Sequence, residues 1–236
     1  MTDVYSRWKG WTDDAAFGHA KRGDDAYFLS ELRDGGPLPK GAAVLEIGYG
    51  NGEFLDVARR QGWDVTGTEL LPDLVEKARA AGFAAVAADR VGDLPDAGFD
   101  LIVAFDVLEH IPPEDTISFL GELVRTLKPN GTMILRYPNG DSALGNPFQN
   151  GDPTHVNAIG WLKMEFYASE AGLRITKYRG VRRRGFATSA VHGIHRLTAG
   201  VYATISGSVR RAIYLPALPV VLSSGNVVCI LRRAAA

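Results

Sequence analysis

Three glycines that follow a carboxylate are the group of residues in this sequence that most clearly indicates chemistry. Gly48, Gly50 and Gly52 come directly after an apolar run and read G-x-G-x-G. Glycines in such a loop let the backbone pass close to a ligand, sometimes with a positive φ, where a Cβ would clash. The helix that follows then offers unpaired N–H groups to an anionic part of the ligand. The loop therefore predicts a site for an adenosine-containing cofactor.

Two carboxylates in the sequence help to identify the cofactor. Glu46 lies two residues before Gly48, where its charge attracts an ammonium or sulfonium group and repels a pyrophosphate. The glycine spacing also departs from the G-x-G-x-x-G of dinucleotide-binding folds. Glu69 can accept hydrogen bonds from both hydroxyls of a ribose, which NAD and S-adenosylmethionine share. Glu46 and the spacing therefore favour S-adenosylmethionine, whereas Glu69 fits either cofactor or a solvated loop acid.

Two histidines are candidates for a general base, which a reaction at a substrate hydroxyl would need. His155 lies in a long loop, close enough along the chain to Asp152 for that carboxylate to orient its ring. His110 follows Glu109 at the end of an apolar run. A general base commonly accelerates such a reaction by about 10²–10⁴-fold. We predict His155 as the base, with Asp152 and His110 as further catalytic residues. The alternatives are a turn-stabilising pair at Asp152 and His155 and a loop-orienting role for His110.

The same side chains raise the question of a bound metal. Asp152 with His155, or Asp106 with Glu109 and His110, would supply ligands for a hard cation. Neither set is complete in the sequence. A reaction at a carbon that a positive sulfur already activates depends mainly on positioning the nucleophile, and it requires no metal. We therefore predict no metal site, with Mg²⁺ dependence as the alternative.

A regular alternation of strands and helices positions these residues. Apolar runs that end at Gly, Pro or Asn predict strands, and segments that end at glycines predict helices. The predicted strands cover residues 43–47, 63–70, 83–87, 99–105, 132–137, 173–181 and 226–231. The predicted helices cover residues 53–61, 72–81, 113–127, 160–171 and 192–213. This alternation is typical of a doubly wound α/β sheet, in which ligands bind where the carboxyl ends of the strands meet.

The composition fits a globular domain with an uneven distribution of charge. The chain has 236 residues, one cysteine and a net charge of −1, which excludes a disulfide framework, a multi-cysteine zinc cluster and a disordered chain. Residues 171–236 contain eleven Arg or Lys and no Asp or Glu. Such a segment attracts anions unless its arginines pair with acids elsewhere in the chain. The apolar run 213–222 contains two prolines and is shorter than the ~20 residues of a membrane-spanning helix.

Four segments, in order along the chain, resemble those of class I S-adenosylmethionine-dependent methyltransferases. They are LEIGYGNGEFL from residue 45, TGTEL from 66, AADRVGDLPDAGFDLIVAFDVLEHI from 87 and LKPNGTMILRYPN from 127. The resemblance covers residues 40–180 and implies a seven-stranded, mostly parallel sheet whose last strand is antiparallel. It also implies that the cofactor is held by residues at the carboxyl ends of the first four strands. Those residues are Glu46, Gly48, Gly50, Gly52, Phe105 and Asp106 for the methionine part, Glu69 for the ribose, and Leu70, Asp89 and the backbone of Arg90 for the adenine.

The acceptor is predicted from weaker signals. The Asp-Pro-Thr-His segment at 152–155 resembles one in bacterial methyltransferases that act on sugars, and the arginines suit an anionic acceptor. We predict an O-methyltransferase for a hydroxyl of a nucleotide-, lipid- or polysaccharide-linked sugar. The alternatives are a quinone- or lipid-like acceptor, a non-catalytic S-adenosylmethionine-binding protein and an NAD-dependent oxidoreductase. No nucleic-acid substrate is expected, because no base-reading motif is present.

The predicted organisation is one methyltransferase domain over residues 1–236. An N-terminal cap (1–39) precedes the cofactor-binding core (40–181), which is followed by a basic and apolar insertion (182–225) and by the last strand and tail (226–236). The aromatic residues Tyr5, Trp8 and Trp11 of the cap would close over the site or pack against the sheet. Residues 182–222 of this insertion would suit a membrane surface or a homodimer contact. The single cysteine and the polar N-terminus predict a cytoplasmic protein, with membrane association as the alternative.

Overall fold

The computed structural model describes residues 9–11 and 17–234 of the chain. Tyr5 and Trp8 of the predicted cap lie outside these residues. The strands are β1 Ala43–Ile47, β2 Asp64–Glu69, β3 Ala84–Ala87, β4 Phe99–Phe105, β5 Leu127–Pro138, β6 Leu173–Gly180 and β7 Asn226–Arg233. The helices are α1 Asp24–Leu32, α2 Glu53–Arg60, α3 Pro72–Ala80, α4 Thr116–Thr126, α5 Asn146–Asn150, α6 Trp161–Glu170, α7 Ala190–Leu197 and α8 Ala199–Tyr214. Short 3₁₀ turns cover Arg33–Gly35, Ala88–Asp93 and Leu108–His110.

All seven strands form one sheet in the order β3-β2-β1-β4-β5-β7-β6. The strands β1 to β5 pair in parallel, whereas β7 lies antiparallel between β5 and β6. This confirms the predicted fold class and the antiparallel last strand. The winding reverses between β1 and β4, and the loops after these two strands therefore border the crevice in which such sheets bind ligands.

Apolar side chains cover both faces of the sheet. Val44 and Leu45 are neighbours on β1 and point to opposite faces, as the pleat of a strand requires. Val44 packs in the cluster that includes Phe54 and Leu55 of α2. Leu45 packs in the cluster that includes Leu120 of α4. The central strands β1 and β4 are buried on both faces, which is why they read as continuous apolar runs in the sequence.

Partly buried ion pairs connect the basic C-terminal segment to the start of the domain. The guanidinium of Arg179 contacts the carboxylates of Glu31 and Asp34, each at 2.6 Å. Arg184 contacts Asp24 of α1 at 2.7 Å. These acids belong to the first 170 residues, so part of the predicted excess of positive charge is neutralised within the domain.

The insertion between β6 and β7 differs from the prediction in one respect. The single helix expected over 192–213 is two helices, because the chain breaks at Thr198, where φ is −104° and ψ is −87°. Within residues 9–11 and 17–234, no helix combines the length and the apolar character needed to cross a membrane. Helices α7 and α8, and Phe186 before them, nevertheless expose many large apolar side chains. These are Phe186, Val191, Ile194, Leu197, Val201, Tyr202, Ile205, Val209, Ile213 and Tyr214.

Candidate active site

The glycine loop between β1 and α2 has the backbone that its sequence predicts. The φ angle is +67° at Gly48 and +54° at Gly50, in the left-handed region that side chains disfavour. A Cβ on Gly48 would lie 2.7 Å from Cγ2 of Val107. A Cβ on Gly50 would lie 2.9 Å from the ring of Trp11. The loop is therefore packed between the end of β4 and the predicted cap. Of the three cap aromatics predicted to close over the site, Trp11 is the one within the described residues, and it lies against this loop.

Glu46 is buried at the end of β1, and its Oε2 atom has no hydrogen-bond partner among the described residues. Burial raises the pKa of this carboxyl well above its usual value, and the nearby carboxylates of Glu53 and Glu69 add to the effect. A buried acceptor without a donor is costly in a native structure. The ammonium or sulfonium end of S-adenosylmethionine would supply the missing positive partner, so the site fits the predicted cofactor.

Glu69 joins the end of β2 to the glycine loop. Its Oε2 accepts a hydrogen bond from the Gly50 N–H at 3.0 Å, and its Oε1 accepts one from the Leu70 N–H at 2.7 Å. A carboxylate offers about four lone-pair sites, so it can still accept from ribose hydroxyls. The side chain of Leu70 is 77% exposed and lies at the same strand end. Both residues keep their predicted roles as proposals.

Asp89 and Arg90 lie in the 3₁₀ turn after β3, at the same edge of the sheet. Both side chains are exposed. The Arg90 guanidinium donates to Asp93 at 2.7 Å, which leaves its backbone as the part predicted to contact adenine. The adenine assignment for these two residues stays a prediction.

Asp106, directly after β4, is held by an arginine that the sequence analysis did not single out. Its φ is +59°, unusual for a residue other than glycine. The Arg136 side chain of β5 donates to both carboxylate oxygens, with the Nε to Oδ1 distance at 3.0 Å. Arg136 also donates to the Tyr27 hydroxyl at 2.8 Å, and its Cζ lies 4.9 Å from the centre of the Phe105 ring. Burial lowers the pKa of a guanidinium, but Asp106 and Tyr27 outweigh it and raise the pKa of Arg136.

The rings of His155 and His110 lie against each other, with their centres 4.6 Å apart. The Nε2 atom of His155 lies 3.6 Å from Oδ2 of Asp152 and 3.8 Å from Oε1 of Glu109. These distances are too long for hydrogen bonds, so the predicted orienting bond from Asp152 to the ring is not formed. Of the two carboxyl groups near Nε2, that of Asp152 is the charged one, because its pKa is held below its usual range. Nδ1 of His155 is buried and has no hydrogen-bond partner in the part of the chain that the structure describes.

Asp152 reaches the other histidine through Thr154. The Thr154 hydroxyl donates to Oδ1 of Asp152 at 2.6 Å, so it accepts from Nδ1 of His110 at 3.0 Å. This pattern assigns the proton of neutral His110 to Nδ1. Burial and the neighbouring His155 lower the pKa of His110, which favours the neutral ring. Burial alone would raise the pKa of Asp152, but hydrogen bonds from Thr154 and the 2.9 Å contact with Lys9 hold that pKa below its usual range.

Glu109 is the most buried acid of this cluster. Its side chain is 1% exposed, and neither carboxylate oxygen has a hydrogen-bond partner among the described residues. Burial raises its pKa to about 8, and the charge of Asp106 contributes. Its backbone carbonyl accepts from the N–H groups of Val156 and Asn157, at 2.9 and 3.1 Å. These two bonds attach the loop after β5 to the end of β4, which is why His155 and His110 meet.

The cluster also bears on the metal question. Glu109, His110 and His155 each offer one ligand atom, and these atoms lie within 4.8 Å of one another. The sequence analysis placed His155 in one possible ligand set and Glu109 with His110 in the other, whereas the structure brings all three together. The absence of a metal requirement stays a prediction.

The stability of the protein is expected to fall as pH rises, because of Glu109. The folded state keeps this carboxyl protonated up to a pKa of about 8, against 4.5 for an unburied Glu. The folded state therefore binds more protons than the unfolded chain between these values, and stability decreases as pH rises through 8. Glu109→Gln should reduce this slope in thermal unfolding between pH 5 and pH 9 and leave the part that buried Glu46 contributes, while the exposed control Glu114→Gln should keep the full slope. An unchanged slope in Glu109→Gln would contradict the assignment.

Glu46→Gln is expected to weaken cofactor binding without lowering the stability of the cofactor-free protein. A hydrogen bond to a charged group is worth about 1.5–3 kcal/mol, so the Kd for S-adenosylmethionine should rise about tenfold or more. The cofactor-free protein loses only a buried, unpaired acid. Calorimetry and thermal unfolding measure the two effects, with Glu53→Gln at the start of α2 as the control. Equal affinity in both variants would remove Glu46 from the methionine site.

Comparison with known proteins identifies the family of this chain. The profile of a family described as a methyltransferase domain matches residues 22–178. A ubiquinone biosynthesis O-methyltransferase of Xanthomonas oryzae pv. oryzae is 35% identical over 103 residues, which are 40% of this chain and 42% of that protein. The enzyme of the same description from Xylella fastidiosa is 33% identical over 103 residues, 40% of this chain and 41% of its own length. The matches thus span about two fifths of these relatives.

Solved structures share the fold. A SAM-dependent methyltransferase from Archaeoglobus fulgidus has a TM-score of 0.65 at 21% identity, with 90% of this chain and 96% of that chain covered. A putative sarcosine dimethylglycine methyltransferase from Galdieria sulphuraria has a TM-score of 0.60 at 16% identity, with 98% and 97% covered. At these identities the similarity concerns the fold alone.

Proposed function

The chain belongs to the methyltransferase-domain family and uses S-adenosylmethionine, and from this premise we propose that it methylates a hydroxyl oxygen of a small-molecule acceptor. The observation that carries the proposal is the cluster of His155, His110, Asp152 and Glu109. The loop that contains His110 packs on the glycine loop through Val107, so the cluster borders the predicted methionine site. The family assignment removes the NAD-dependent oxidoreductase from consideration.

His155 is the proposed general base. The cofactor supplies an activated methyl group, so the protein has to position the acceptor and accept its hydroxyl proton. A base ends the step as a cation, and the carboxylate of Asp152 lies 3.6 Å from Nε2 of His155. The charged form of His110 is disfavoured, because burial and His155 lower its pKa. Nδ1 of His155 would take the proton, and the charged carboxylate of Asp152 would stabilise the imidazolium.

A sugar hydroxyl is the acceptor that we propose first. The segment at 152–155 supports it, since it resembles one in sugar methyltransferases, and so do the arginines after β6. The description of the relatives as ubiquinone biosynthesis O-methyltransferases favours a phenolic hydroxyl as the second candidate. A phenol has a pKa near 10 and loses its proton more readily than a sugar alcohol, so it depends less on a base.

A panel of acceptors distinguishes these classes. The methyl group of labelled S-adenosylmethionine is followed into nucleotide sugars, free glycans and catechol-type quinone precursors, each with EDTA and with Mg²⁺. Label in a sugar hydroxyl, unaffected by EDTA, supports the first proposal. Label confined to catechols selects the second. Turnover that EDTA abolishes would show that the reaction needs a metal, for which the Glu109–His110–His155 cluster is the candidate site. No transfer to any hydroxyl would leave a cofactor-binding protein without this activity.

The exposed apolar side chains of α7 and α8 support a further part of the prediction. Arg210 and Arg211 lie on α8 beside them, and residues 171–236 contain no acid. An amphipathic helix with basic residues suits an anionic membrane surface. Peripheral membrane contact and a homodimer through this face both stay proposals.

A further inference from the structure

A cavity of about 540 Å³ lies beside the predicted active site. One wall is α1 with the residues around it, including Tyr27 and Arg33. The opposite wall is the segment 181–188 after β6, and α7 and α8 close the cavity through Arg196 and Val201. The cavity is therefore built where the basic insertion meets the start of the domain.

The cavity has an excess of positive charge. Five arginines line it, and they are Arg33, Arg182, Arg183, Arg184 and Arg196. Two of these charges are neutralised by ion pairs. Arg182 lies 2.9 Å from Asp34, and Arg184 lies 2.7 Å from Asp24. Within the described ranges, the other three have no carboxylate within ion-pair distance. No acid occurs in residues 171–236 to neutralise them. The cavity therefore attracts an anion.

The position of the cavity connects it to methyl transfer. β6 and β5 both lie antiparallel to β7, so they run in the same direction. The segment after Gly180 consequently leaves the sheet at the edge that carries Glu46 and Asp106. Tyr27 lines the cavity, and its hydroxyl accepts from Arg136, which holds Asp106. The side chains of Tyr27 and Arg136 would thus connect a ligand in the cavity to the predicted methionine site.

We propose that this cavity binds the phosphate or diphosphate group of the acceptor. Guanidinium groups bind phosphate oxygens through paired hydrogen bonds, and several of them around one space suit a doubly charged anion better than a single carboxylate. The substrate is then a hydroxyl compound that carries a phosphate or diphosphate, linked to a nucleotide or to a lipid. This inference rests on the proposed O-methyltransferase function and specifies its substrate class.

The first test is binding of inorganic pyrophosphate to the full chain in the presence of S-adenosylmethionine, measured by calorimetry. Each lost hydrogen bond to a charged group costs about tenfold in affinity or more. The Kd should therefore rise about tenfold in Arg183→Gln and in Arg196→Gln, and further in the double variant. Arg210→Gln, which removes a charge from α8 outside the cavity, should leave it unchanged. Absent pyrophosphate binding, or equal affinity in the double variant, would overturn the proposal.

Two probes distinguish the source of the phosphate. Tighter binding of uridine diphosphate than of pyrophosphate indicates a nucleotide-linked acceptor. Binding to vesicles that contain a polyprenyl diphosphate, lost in the double variant, indicates a lipid-linked one. If the double variant instead loses binding to phosphatidylglycerol vesicles and keeps pyrophosphate binding, the arginines form a membrane surface and the cavity proposal is wrong.

The two proposals fail in different ways. Methyl transfer to uncharged hydroxyl compounds, with kcat/KM unchanged in the double variant, would overturn the phosphate site and leave the O-methyltransferase function standing. Arginine-dependent pyrophosphate binding without transfer to any hydroxyl would refute the proposed reaction, and with it the assignment of the anion as part of the acceptor.

Discussion

His155→Ala is expected to lower kcat for methyl transfer to a sugar hydroxyl by about 10²–10⁴-fold, the usual contribution of a general base. The KM for S-adenosylmethionine should change little, because the ring contacts the carboxylates of Asp152 and Glu109 rather than the glycine loop. The loss should be smaller with a phenolic acceptor, which needs less help to lose its proton. Initial rates with labelled cofactor measure both effects.

His110→Ala is the matched control for this prediction. It removes a neighbouring imidazole that Thr154 and Asp152 hold in one tautomer. We expect a smaller loss in kcat, since this ring is poorly placed to carry a positive charge. A larger loss in His110→Ala than in His155→Ala would exchange the two roles. Full activity of His155→Ala would show that the reaction proceeds without this base.

Arg136→Met is expected to destabilise the protein by about 3 kcal/mol, because it leaves the charge of Asp106 without its partner. The buried guanidinium holds Asp106, donates to Tyr27 and lies over the Phe105 ring. Asp106 is partly exposed, which keeps the cost at the lower end of that for breaking a buried pair. Urea unfolding of the cofactor-free protein measures the change in free energy.

Asp106→Asn and the double variant complete a thermodynamic cycle around this pair. Asparagine tolerates the left-handed backbone found at position 106, so this substitution tests the charge and preserves the local conformation. The double variant should be less destabilised than the sum of the single variants, because each single change leaves an unpaired partner. Additive effects would show that Arg136 stabilises the fold through packing alone.

The seven strands and the cofactor loop were predictable because their signals are local. A strand buried on both faces must be apolar along its length, and a loop with positive φ requires glycine at fixed positions. The start of β5 was harder to predict from the sequence. It begins at Leu127, which pairs with Phe99 across an irregularity in the register, and the Lys-Pro-Asn-Gly sequence there predicts a turn. The break at Thr198 contains neither glycine nor proline, so one helix was predicted where two are present.

The amino-acid pattern along the chain thus determined the doubly wound sheet, the glycine loop and the identity of the cofactor, since each depends on residues that are neighbours in sequence. The arrangement of the cluster was decided by tertiary structure. Two hydrogen bonds from the 155–157 loop to the Glu109 carbonyl bring His155 beside His110. Arg136, an arginine within the apolar run 133–138, was a visible signal that was not used as a site prediction. Its partner Asp106 is 30 residues away along the chain, and only the parallel pairing of β4 and β5 makes the two adjacent.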